Sequence, residues 1–164
     1  WADKSYGRGS TIGKTGCGPS AMAMIITAFS GKNVTPAETA AYGEANGTVY
    51  YPEELGGNTP AGSSWNLHEV IGDKWGIKYK TLTPSVAEIN TALRGGALII
   101  TSGTGPAPYT SGGHYIVIRG VTADGKWKIG DSNGTEGIEN SKKEWDPGFI
   151  MQNTALDNIR AMTK

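Results

Sequence analysis

From Pro19 onward, "SAMAMIITAFSGK" places Met22, Ile25, Ile26 and Phe29 at helical spacing, and Gly31 stands where a C-cap would. An amphipathic helix is therefore predicted from Pro19 to that glycine. "VTPAETAAYGEAN" predicts a second, shorter helix, with Thr35 as N-cap, Pro36 in the first turn and Glu38 three residues after the cap. In "SWNLHEVIGDKWG", Ser64 is a plausible cap, and Trp65, Leu67, Val70, Ile71 and Trp75 lie mainly along one stripe. "TPSVAEINTALRGG" repeats the cap-and-proline opening and ends on a glycine pair.

Other runs alternate or stay apolar over strand lengths. "IKYKTL" alternates, "ALIITSG" reads as a short buried strand, and "HYIVIRGV" and "KWKIGDS" are β-rich runs joined by "TADG", which predicts a hairpin. The polar "WADKSYGRGSTIGKTG" predicts an extended lead-in over the surface, and "GTVYYPEELGGNTPAGSS" a loop. Beyond Asn133 the pattern loses its period, and only a terminal strand near "NIRAM" is expected. Helices thus precede strands. That order predicts an α+β fold, with N-terminal helices packed on a C-terminal antiparallel β-sheet.

The length of 164 residues fits a single domain spanning 1–164. Charge narrows the partners: 15 basic and 15 acidic residues cancel, and no basic cluster could follow a phosphate backbone, so no nucleic acid partner is expected. The longest apolar runs are strand-sized, so no membrane span is expected. The chain opens on Trp1 without a signal peptide, which reads as an excised or processed piece of a protein with further domains. Its many glycines and tryptophans suit a secreted hydrolase or binding module.

One cysteine excludes an internal disulfide and a multi-cysteine zinc site, and two distant histidines make a poor metal set. Asp3, Asp73, Asp124 and Glu136 match no calcium loop. Neither metal nor cofactor is expected.

Cys17 itself, in "TGCGPSAMAMI", has two readings: a small core residue beside a turn, or a nucleophile at the start of a helix. Thiolate is the reactive form, and helix N-termini and neighbouring imidazolium both favour it. Gly16 and Gly18 keep Cβ atoms away from the thiol's flanks, and Pro19 fits a first turn whose N–H has no helical partner. Amides at that end, including the N–H of Cys17, would also stabilise a developing oxyanion. A base must then reach the sulfur. His68 sits inside a helical pattern and reads as an ordinary helix residue, whereas His114 opens a strand behind the turn "TSGG". An orienting acceptor for its ring is offered by Asp131, 17 positions on, with Asn133 as fallback. His114 lies nine residues before Ala123 and Asp131 seven after Asp124, so the pairing is close and asks for a bulge.

The pieces "GCGPSAMAM", "GSSWNL", "SGGHYIVIRG" and "KWKIGDSN", in this order, resemble the bacteriocin-leader-peptidase-like cysteine peptidases of the papain-like superfamily. The resemblance runs from about Tyr6 to Asn133 and more weakly to the C-terminus. It implies a papain-like fold with Cys17 as nucleophile, His114 as base and Asp131 as orienting acid. True leader peptidases carry a glutamine six positions before the cysteine as an oxyanion donor; here that position is Thr11, preceded by Ser10. Thr11, Ser10, Tyr6 or a backbone amide would have to serve instead, and the departure argues against leader cleavage. Relatives of this shorter kind are similar to secreted or phage-encoded domains of Gram-positive bacteria, beside cell-wall-binding or lytic modules. The expected substrate is therefore a peptidoglycan stem or cross-bridge peptide, in an extracellular or cell-envelope setting, with Trp65, Tyr109 and Tyr115 as candidate cleft aromatics. Two alternatives are a protease on ordinary polypeptides or leader peptides, and a non-catalytic module binding wall peptides or a protein.

Overall fold

A computed structural model describes residues 1–164. The chain forms two compact units, Trp1–Ile77 and Lys78–Lys164.

The N-terminal unit is helical: α1 (Ile12–Thr15), α2 (Cys17–Ser30), α3 (Pro36–Ala45), a 3-10 turn (Glu53–Leu55) and α4 (Leu67–Trp75). The expected surface lead-in is corrected here. Part of it folds as α1, and Tyr6 and Ile12 are buried in a cluster with Ala40 and Val49. α2 starts at Cys17 rather than Pro19, with Gly16 as N-cap, and stops at Gly31 in the left-handed region (φ 68°). Ala21, Met22, Ile25 and Ile26 form its buried stripe. α3 carries the expected capping box: Thr35 accepts from the Glu38 N–H, and the Glu38 carboxylate accepts from the Thr35 N–H at 2.8 Å. Asn66, which makes no side-chain cap bond, stands at the N-cap position of α4 instead of Ser64, whose N–H is tied back to the Thr48 carbonyl at 2.9 Å.

The C-terminal unit contains β1 (Lys78–Thr81), α5 (Val86–Arg94), β2 (Leu98–Gly103), β3 (His114–Val121), β4 (Trp127–Gly130), α6 (Gly134–Lys142), β5 (Glu144–Trp145), α7 (Pro147–Gln152) and β6 (Thr154–Thr163). The strands form one sheet in the order β1-β6-β2-β3-β4-β5, and every pairing is antiparallel. The terminal strand expected near "NIRAM" is β6, inserted between β1 and β2. α5 is capped by Ser85, whose hydroxyl accepts from the Glu88 N–H, and not by the earlier Thr83. Ile99, Ile116, Ile118, Trp127 and Ile129 line one core with Ile89 and Leu93 of α5 and Ile150 of α7. The buried Trp127 indole also donates to Asn90 Oδ1 at 2.7 Å, satisfying its one polar atom.

The β3–β4 hairpin fixes the geometry that matters most. Its register runs Val121↔Trp127 and Gly120↔Lys128, then slips to Ile118↔Ile129 and Val117↔Gly130. Arg119 is the extra residue of this bulge, and its guanidinium donates across it to the carbonyls of Ile129 (2.9 Å) and Ser141 (3.1 Å). Because Ile118 faces Ile129, strand alternation puts His114 and Asp131 on the same sheet face as diagonal neighbours.

Candidate active site

Cys17 is the first residue of α2, with a free, half-buried thiol. The first intrahelical bond runs from the Ser20 N–H to the Gly16 carbonyl at 3.1 Å, and Pro19 has no N–H. The amides of Cys17 and Gly18 therefore precede the helical ladder and form the positive end of the α2 dipole. Both flanking glycines are required by close packing. A Cβ on Gly16 would lie 2.6 Å from Ile12 Cα, and one on Gly18 would lie 2.5 Å from Ser63 Oγ and 3.0 Å from Leu67 Cδ1. Gly16 has an ordinary φ of −96°, so backbone freedom is not the reason for it. Thr39 adds a further tie, donating to the Pro19 carbonyl at 2.8 Å.

Tyr6 lies beneath this turn and is fully buried. Its hydroxyl donates to the Thr48 carbonyl (3.2 Å) and shares hydrogen bonds with Thr48 Oγ1 (3.0 Å) and Ser63 Oγ (2.7 Å). Burial pushes its phenol above the ordinary tyrosine range, against the lowering effect of the Ser63 and Thr48 bonds; Cys17 and Glu44 add to the rise. Tyr6 is a strut under Ser63, which packs against Gly18. Ser10 Oγ is engaged with Thr15 Oγ1 at 3.1 Å, and that hydroxyl in turn donates to the Tyr6 carbonyl at 2.8 Å. Thr11 stands half-buried at the N-cap of α1, where its side chain makes no cap bond.

In the C-terminal unit, His114 Nε2 lies 2.6 Å from Asp131 Oδ1, and both residues are buried (6% and 7% exposed). Asn133, the fallback orienter, supports the carboxylate instead: its backbone N–H donates to Asp131 Oδ1 at 2.9 Å. Asn140 donates through Nδ2 to the other oxygen at 2.9 Å. Burial by itself would raise the Asp131 carboxyl, yet the hydrogen bonds from His114, Asn140 and Asn133 and the His114 charge together hold it below the usual carboxylate range. An ionised carboxylate only accepts, so Nε2–H is the donor of this bond.

Three aromatic candidates have different fates. Trp65 is 47% exposed in the loop before α4. Tyr109 is corrected to a core residue: its hydroxyl is 2.7 Å from Thr154 Oγ1, and burial pushes its phenol up to about 12. Tyr115 is buried on β3 opposite Ser102 and is likewise no exposed cleft wall. The residues missed by sequence reasoning are Ser63, Asn140 and Ser141. Ser63 packs against Gly18 beside Cys17, and Asn140 and Ser141 bond Asp131, by polar contacts that leave no periodic trace in the chain.

The class is given by a family match over most of the chain, which makes it a cysteine peptidase. Residues 3–151 match the Peptidase_C39-like family, and the chain belongs to it. Among solved structures it is similar to an inferred C39-like peptidase from Bacillus anthracis. The TM-score is 0.56 at 14% identity, over 91% of this chain and 88% of that one, a likeness of fold. No curated protein matches the sequence. No group of three or more His, Cys, Asp or Glu residues is placed to hold a metal, and no helix is long and apolar enough to cross a membrane.

Proposed function

We propose that Cys17, His114 and Asp131 act as a triad that hydrolyses amide bonds in peptidoglycan stem or cross-bridge peptides at the bacterial cell envelope. The observation that supports this reading is the buried His114–Asp131 pair, joined through Nε2 at 2.6 Å. Nδ1 takes the proton of the Cys17 thiol, and the sulfur attacks the substrate carbonyl. The oxyanion is met by the backbone N–H of Cys17 at the α2 N-terminus, with the dipole of that helix behind it. His114 then protonates the leaving amine. An acyl-enzyme remains, and water, deprotonated by the same nitrogen, releases the product acid and restores the thiol.

The choice of wall peptides over leader peptides rests on the sequence. Thr11 occupies the position where leader peptidases carry glutamine, and the resemblance described above implies a wall-directed setting. The test is digestion of purified cell walls in parallel with synthetic all-L peptides and peptides containing D-residues, with products read by mass spectrometry. Wall solubilisation and cleavage next to D-residues are expected. Cleavage confined to all-L peptides would move the substrate to ordinary polypeptides, and alkylation of Cys17 no faster than that of free cysteine would favour the binding-module alternative.

A further inference from the structure

Asp131 is held by more than its histidine. α6 rides directly over it: a Cβ on Gly137 would come within 2.7 Å of the Asp131 carbonyl oxygen and 3.1 Å of Oδ1, so only glycine permits this approach. The Asp131 N–H donates to Ser141 Oγ at 3.0 Å, and that hydroxyl donates to the Gly137 carbonyl at 2.7 Å. Asn140, only 2% exposed, aims its amide at Asp131 Oδ2. The helix carrying Asn140 is fixed at its far end too. The Trp145 indole donates to the Asn140 carbonyl at 3.0 Å, and Arg119 to the Ser141 carbonyl at 3.1 Å.

This arrangement is asymmetric in an informative way. Oδ1 receives His114 Nε2 and the Asn133 N–H, whereas Asn140 is the side chain bonded to Oδ2. A carboxylate pinned at one oxygen alone can still rotate about Cβ–Cγ; pinned at both, its plane is set. We propose that Asn140 is a positioning residue for the triad: its amide locks the rotation of Asp131, which in turn fixes the His114 ring and the nitrogen that carries its proton. This rests on the triad reading above.

The other charged groups around Asp131 do not replace Asn140. Arg119 on β3 spends its guanidinium on carbonyls, and Glu136 on α6 is exposed and accepts from Asn133 Nδ2 at 3.4 Å. Glu139 and Lys142 pair with each other on the exposed side of α6, and Lys128 on β4 is exposed.

The test uses the two histidines of the chain as probes, by proton–nitrogen NMR of the imidazoles together with pH profiles of hydrolysis. Wild type should show His114 as the Nε2–H tautomer, with a downfield proton slow to exchange. In Asn140→Ala that signal should broaden or vanish, and kcat should fall about 100-fold with little change in KM, as expected for a misplacement of roughly 1 Å. Asn140→Asp keeps the shape and guards against a folding defect. Two carboxylates in contact share a proton, so this variant should donate to Oδ2 and behave like wild type at low pH. It should lose the imidazole signal and activity as that proton leaves at higher pH. An unaltered imidazole signal and kcat in Asn140→Ala, or a pH-independent Asn140→Asp, would overturn the proposal. If Cys17→Ala retained full hydrolysis, the triad reading would fall while the imidazole signals still decided the role of Asn140.

Discussion

Replacing Cys17 by Ala should abolish hydrolysis, with kcat falling on the order of 10⁶-fold, to the level left by binding alone. The size follows from the mechanism: no acyl-enzyme can form without the sulfur, and the single cysteine leaves no substitute thiol. Packing should be little changed, because the thiol is half-buried while the flanking glycines make the tight contacts. A thermal melt close to that of wild type, with no product release on the cleaved peptide, is the expected pair of results. Residual turnover within tenfold of wild type would show that another group performs the attack.

Asp131→Ala should be the second most damaging change, lowering kcat/KM about 10³- to 10⁴-fold. It removes the acceptor that holds the Nε2–H tautomer, and it leaves the Asn140 amide and the Asn133 N–H without their carboxylate. Asp131→Asn should lose less, since an amide oxygen at the Oδ1 position still accepts from Nε2 but carries no charge. Acid stability follows from the same contacts. The folded Asp131 carboxyl is held below its ordinary value, so its contribution is fully present above the unfolded carboxylate pKa. It is lost as pH falls through the lower, folded value. Both variants should therefore have stability curves that fall off less steeply on the acid side, read from denaturant midpoints across that range.

The parts of this site that are legible in the sequence are those written in period and punctuation. The Thr35–Pro36–Glu38 cap and the hairpin around "TADG" follow from residue types at fixed offsets, whereas the exact register does not: the Arg119 bulge leaves His114 and Asp131 diagonal rather than opposite. The α6 helix was not legible, for a physical reason. "GTEGIENSK" has one large apolar residue, Ile138, and it is 57% exposed, so no buried stripe marks the helix. α6 is held by Gly137, Asn140 and Ser141 against Asp131, contacts that depend on a carboxylate lying outside its own sequence. α1 and the burial of Tyr6 were hidden in the same way. A polar, glycine-rich stretch reads as surface until Thr48 and Ser63, 42 and 57 positions away, supply the phenol with partners. Tyr109, a candidate cleft aromatic on residue type alone, packs in the core of the C-terminal unit, a contact set by distant residues such as Thr154.

The proposed coupling of thiol to imidazole is tested most directly by the rate of iodoacetamide modification of Cys17 at neutral pH, in wild type and in His114→Ala. Rapid, stoichiometric modification of the wild-type thiol is expected, slowed by about tenfold or more when the imidazole is removed. Equal rates in the two proteins would contradict a Cys17–His114 couple and, with it, the proposed mechanism.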